Sequence, residues 1–178
     1  MKSYCYVVLP MDVSLDDDSV RAFVKKQIYK YYIELEVEPY KRFFSEKETS
    51  EIAKRKGFKN IRRFKKYLDE NGENEGIENG LYYWITTWNP QGEWDYYQVE
   101  DYRKCHELNG YPLPSSVVTL DGVWHSDIKY GYKPILDFKL GKQHPDNIEP
   151  ENRWKEYLDD HFYNIYNDNN IAILYIHS

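Results

Sequence analysis

The sequence predicts an α+β fold: a single-domain sandwich with helices packed on a mixed or antiparallel sheet, ferredoxin-like in spirit. Three observations carry that prediction. Ser3–Leu9 (SYCYVVL) and Ile171–Ile176 (IAILYI) are apolar on both alternating faces, as strands are in the middle of a covered sheet, so the N- and C-terminal strands are expected at its centre. Between them, stretches of helical period are intermixed with aromatic and β-branched runs. Finally, 178 residues that are 41% apolar and 17% aromatic suffice for one core, which sets a single domain over 1–178.

After the first strand, Asp16–Asp18 supply the negative charge that suits a helix N-terminus, and Val20, Phe23, Val24, Ile28, Tyr31 and Tyr32 follow at helical spacing. Ile33–Glu38 (IELEVE) alternates strictly, which predicts a half-exposed strand with its acids toward solvent and Pro39 as its stop. Ser45 and Glu48 have capping-box spacing and open a short helix that Gly57 ends. Ile61, Phe64 and Leu68 make the inner face of a third helix, with Lys59, Arg62, Arg63 and Lys66 outward and Asn71-Gly72 as its end. Asp69–Gly80 (69–80) is acidic and holds three glycines, the composition of a mobile loop. Leu81–Trp88, Glu93–Val99 and Val117–His125 read as strands, with turns at Asn89–Gly92 and Asp121-Gly122. Pro145–Pro150 reads as a loop, and Trp154, Tyr157, Leu158 and Phe162 mark a last helix before the final strand.

The net charge of −6 hides a contrast. Residues 54–66 (KRKGFKNIRRFKK) carry eight basic groups and no acid, so the other 165 positions hold 16 basic against 30 acidic groups, a net of −14. Such a field favours solubility and repels nucleic acid everywhere except near the patch. The longest apolar run, Tyr4–Met11, is under half of a bilayer span, which predicts no membrane partner. No leader with a small-residue cleavage site is legible, so a cytoplasmic setting is expected, with Cys5 and Cys105 as free thiols. His106, His125, His144, His161 and His177 show no zinc-ligand spacing, and neither a metal nor a cofactor is expected. The 19 tyrosines fit either an adhesive surface or the codon bias of an AT-rich genome.

No Walker loop, G-x-G-x-x-G, G-x-S-x-G, H-E-x-x-H or C-x-x-C is present, so binding rather than catalysis is expected. Two constellations remain. In the first, Asp95 and His125 meet across the aromatic strands as an acid–base unit, and Glu36 or Glu38 adds oxygen ligands for a divalent metal. Against it stands the reading that these are exposed strand ends, while Trp94 and Trp124 are either core or a binding surface. In the second, Lys59, Arg62, Arg63 and Lys66, with Phe58, Phe64 and Tyr67 interleaved, neutralise an anionic ligand, unless the face is merely solvated and balanced by the acids that follow.

LEVEPYKRF (35–43), GLYYWITTWNPQGEWDYY (80–97), SSVVTLDGVWHS (115–126) and a closing apolar strand with His177 follow one another in an order that resembles an uncharacterised family of phage and prophage proteins. The resemblance spans most of the chain and covers Glu36, Glu38, Pro39, Tyr40, Asn89, Pro90, Trp94, Asp95, Tyr97, Asp121, Gly122, Trp124 and His125. Two departures stand out: Val99–Arg103 replaces the family's Gly-Gly-Arg-Trp, and Leu120 stands where the family has proline before the hairpin Asp-Gly. The resemblance implies a viral or mobile-element origin and no particular activity. Together with the missing motifs and the acidic body, it leads to an accessory protein that acts by binding. The expected partner is a protein or protein–nucleic-acid complex of the host, with defence or nucleic-acid handling as the process modulated. The alternatives are a metal-dependent phosphoester or nucleotide hydrolase and a nucleotide- or oligonucleotide-binding protein.

Overall fold

A computed structural model describes residues 2–131 and 148–177. Its contacts divide the chain into two compact units: Met1–Ile33 with Gln91–Ser178, and Glu34–Pro90, which interrupts the first in sequence. Helices and mixed or antiparallel sheets build both, so the α+β class holds, with the strands shared between two sheets.

The first unit contains β1 (Lys2–Val8), α1 (Asp17–Ile28), β5 (Tyr96–Lys104), β6 (Ser116–Val118), β7 (Trp124–Ser126), α4 (Ile148–Leu158) and β8 (Asn170–His177). Its sheet runs in the order β5-β8-β1-β6-β7. β1 pairs antiparallel with β8, from Lys2↔His177 to Val8↔Ile171, and parallel with β6. The two end strands are therefore central neighbours, and both of their faces are covered. Cys5, Val7, Ala172, Leu174 and Ile176 belong to one cluster with Val20, Val24 and Ile28 of α1. Tyr6, Val8, Ile171 and Ile173 belong to another with Trp154 and Leu158 of α4 and with Phe162 in the π-helical turn Asp159–Tyr163. A strand with water on neither side must be apolar at every position, each buried side chain contributing about 1.5–3 kcal/mol, and that is the pattern legible in the sequence.

Local signals set the ends of these elements. Asp16 caps α1 by accepting from Ser19 N–H at 2.9 Å, and the helix tightens into a 3-10 turn at Tyr29–Tyr31. The buried Tyr31 hydroxyl donates to Gly122 O (2.8 Å) and accepts from Trp124 N–H (3.0 Å), tying the helix end to the β6–β7 hairpin. β5 starts at Tyr96, three residues later than predicted, because the Glu93 and Trp94 amides are spent on Tyr31 O. α4 already begins at Ile148, so Pro150 is helical rather than loop, and a proline in the first turn removes no intrahelical bond. The rest of the predicted loop, 145–147, and His144 lie outside the described residues. Cys5 and Cys105 are both free and buried, and burial pushes their thiols up to about 12 and about 11.

The second unit contains β2 (Tyr40–Phe43), α2 (Glu46–Arg55), α3 (Ile61–Asn71), β3 (Glu75–Glu78) and β4 (Leu81–Thr86). The strands form an antiparallel sheet in the order β2-β4-β3, and Ala53, Phe64, Leu68, Ile77 and Tyr82 form the core beneath the two helices. The Ser45–Glu48 capping box opens α2 as the sequence predicts, and Asn60 opens α3 by accepting from Arg62 N–H.

Two expectations fail in this unit. Ile33–Glu38 is not a strand; it has alternation but no ladder, and Pro39 precedes the real strand instead of ending one. Pairing with β4 begins at Tyr40, because proline has no N–H to give. Nor is Asp69–Gly80 a loop: it finishes α3, caps it at Gly72 and continues as β3. Asn79 (φ 51°) and Gly80 (φ 82°) then make a two-residue hairpin turn with positive φ at both positions, between the paired Glu78 and Leu81.

Candidate functional site

The acid–base constellation does not assemble. Asp95 sits at the start of β5, where its N–H bonds His177 O, and His125 sits on β7. These are the two edges of a five-stranded sheet, four inter-strand steps or about 19 Å apart. Asp95 instead meets His177, whose Nδ1 lies 2.8 Å from the carboxylate, an exposed pair that spacing along the chain does not reveal. The His125 ring packs on Tyr157 at 5.5 Å, and burial, with Lys129 beside it, holds its pKa below the usual value. Glu36 and Glu38 are exposed on the irregular segment of the second unit. Among the described residues no three His, Cys, Asp or Glu side chains converge as a metal site requires. Trp94 and Trp124, offered as binding residues, are 7% and 5% exposed and belong to the core; the Trp94 indole donates to Ile28 O at 2.9 Å.

The cationic constellation is on the surface. Lys59, Arg62, Arg63 and Lys66 are all exposed. Of the eight basic groups in 54–66, Lys56 pairs with Glu75 and Lys65 with Asp69; the other six have no carboxylate within 4 Å among the described residues. Phe64 is buried, and Phe58 stacks between it and Tyr67 at 5.2 and 5.1 Å, so the aromatic residues fasten α3 while the cations stay in water.

The charges of α3 run against its own dipole. Acids open α1, α2 and α4 (Asp17 and Asp18; Glu46 and Glu48; Glu149 and Glu151), and cations close them. In α3, Arg62 and Arg63 stand in the first turn, while Asp69 and Glu70 stand in the last.

The same unit holds a groove that the sequence reading missed, about 520 Å³ in volume. Tyr82, Trp84 and Thr86 alternate along β4 on the face toward the helices. Phe64 stacks over Tyr82 at 5.9 Å, but the helix layer ends there, leaving Trp84 and Trp88 beyond it. Asn71, Glu73, Asn74 and Glu75 complete the lining, Glu75 being the partner of Trp84 across the β3–β4 ladder. Trp88 is 65% exposed and meets Trp84 edge-on, with ring centres 6.0 Å apart. Arg42, opposite Trp84 in the ladder, lays its guanidinium over that indole at 5.9 Å. Glu75 is already satisfied by Lys56 at 2.6 Å and by the Tyr82 hydroxyl; burial pushes its carboxyl up, but these partners together outweigh it and hold the carboxyl below the usual range. The Trp84 Nε1–H is buried with no acceptor among the described residues. The period-two run Tyr82-x-Trp84-x-Thr86-x-Trp88 is the signal that finds this floor in the sequence.

No known protein family, curated protein or solved structure matches the chain. No helix among the described residues is long and apolar enough to cross a membrane.

Proposed function

We propose that this chain works by binding, as an accessory protein of the phage or mobile-element type that engages a nucleic-acid-handling complex, and that the cationic face of α2 and α3 meets an anionic partner. The observation that carries this reading is the reversed charge of α3. A helix gains stability from acids at its N-terminus and cations at its C-terminus, and three helices of this chain follow that rule. Cations placed at the positive end of the fourth, without carboxylate partners among the described residues, cost stability and concentrate positive potential in an otherwise acidic protein. Binding of an anion offsets that cost. The phage-type origin rests on the sequence resemblance alone.

The test is fluorescence anisotropy with labelled 20-nucleotide single-stranded and duplex DNA at 50 and 200 mM salt. The expected result is binding at 50 mM that weakens steeply with salt, and a Lys59→Glu/Arg62→Glu/Arg63→Glu variant that loses most of it with a shallower salt slope. Unchanged affinity in that variant at low salt removes the patch from function.

A further inference from the structure

We infer that the Trp84–Trp88 groove takes an unpaired nucleobase, which makes the anionic partner a single-stranded nucleic acid; this rests on the reading that the face of α3 meets an anion. Three features of the groove point to a base. Trp88 presents an open indole face, and stacking on an aromatic ring is how single-strand binders hold bases without regard to sequence. Trp84 lines the groove beside it and meets Trp88 edge-on with ring centres 6.0 Å apart, so a base stacked on Trp88 has a second aromatic wall. The lining also includes the exposed Asn74 and Glu73, whose amide and carboxylate are groups that exchange hydrogen bonds with a base edge, whereas the Asn71 amide nitrogen already donates to Tyr67 O.

Other occupants fit less well. An organic cation would compete with Arg42 and Lys56, whose charged groups already lie over Trp84 and Tyr82. A phosphate is repelled by the Glu73 carboxylate, so the base enters and the backbone stays outside. The backbone has somewhere to go. Asn71 on the groove wall and Arg63 in the cationic face share α3, eight residues or about 12 Å apart along the helix, within reach of a short strand.

The experiment measures affinities of the full chain for a 10-nucleotide single strand, the same strand with abasic sites and a duplex, with Trp88→Ala, Trp84→Phe and the triple reversal of the cationic face. Trp88 is on the surface and Phe keeps most of the Trp84 ring, so thermal melting checks that both variants fold. The expected result is a single strand bound at least tenfold tighter than duplex or abasic strand. Trp88→Ala loses five- to hundredfold and Trp84→Phe a few-fold, both with the salt slope of the unmodified chain, because no phosphate contact is removed. Equal affinity of the abasic strand, or wild-type binding by both tryptophan variants while the triple reversal loses it, overturns the nucleobase and leaves the cationic face standing. Wild-type affinity in the triple reversal overturns the reading beneath it.

Discussion

The two compact units bury their sheets differently. In the first, helices cover both faces, and β1 and β8 are close to fully buried from Cys5 to Leu9 and from Asn170 to Leu174. In Glu34–Pro90 the helices cover one face only; Phe43 and Ile85, on the other, are 46% and 41% exposed. Lys41 reaches over the Tyr83 ring of that face to an ion pair with Glu78. The difference bears on chemistry. A sheet covered twice consumes its aromatic residues as core, as happens to Trp94 and Trp124, whereas a sheet covered once, by short helices, leaves Trp84 and Trp88 beside a groove.

The contrast is broken most severely by a charge. Val7→Asp or Ile173→Asp, at positions 0% and 1% exposed, is expected to abolish folding, because an unpaired carboxylate in either cluster costs several kcal/mol against a total stability of about 5–15 kcal/mol. Ile85→Asp should shift the melting temperature by only a few degrees. Circular dichroism of the three variants decides it, and a native-like melt for Val7→Asp would contradict the buried strand.

A smaller effect separates α3 from α1. Arg62→Glu with Arg63→Glu should raise the melting temperature slightly at low salt while weakening anion binding, whereas Asp17→Lys with Asp18→Lys should lower it. Both shifts should shrink as salt rises. Destabilisation by the α3 pair would mean that these cations serve the fold.

The smallest expected effect is a pH dependence confined to the doubly covered unit. Asp127 opens a 3-10 turn there, and burial raises its carboxyl from about 3.8 to about 6. The folded state therefore holds this proton more tightly than the unfolded chain, and stability falls as pH rises from about 4 to about 6. Asp127→Asn should flatten that part of a denaturation profile. An unchanged slope would place the titration elsewhere.

Neighbour-to-neighbour chemistry was enough for much of the fold. The two-faced apolarity of β1 and β8, the Asp16 cap, the Ser45–Glu48 box and the stop at Gly72 each depend on residues within a turn of one another, so the chain states them directly. The exposed cations at Lys59, Arg62, Arg63 and Lys66 were equally legible from helical period. The Asn79-Gly80 turn is also written in the chain, inside an acidic, glycine-containing stretch whose composition alone predicts a loop. What tertiary structure alone decided is non-local: IELEVE alternates yet finds no partner strand, because a ladder needs backbone groups on another segment. Strand order sends Asp95 and His125 to opposite edges and brings Asp95 to His177, 82 positions away. Which tryptophans become core and which line a groove follows from where the helix layer ends, a property of packed elements that no spacing along the chain encodes.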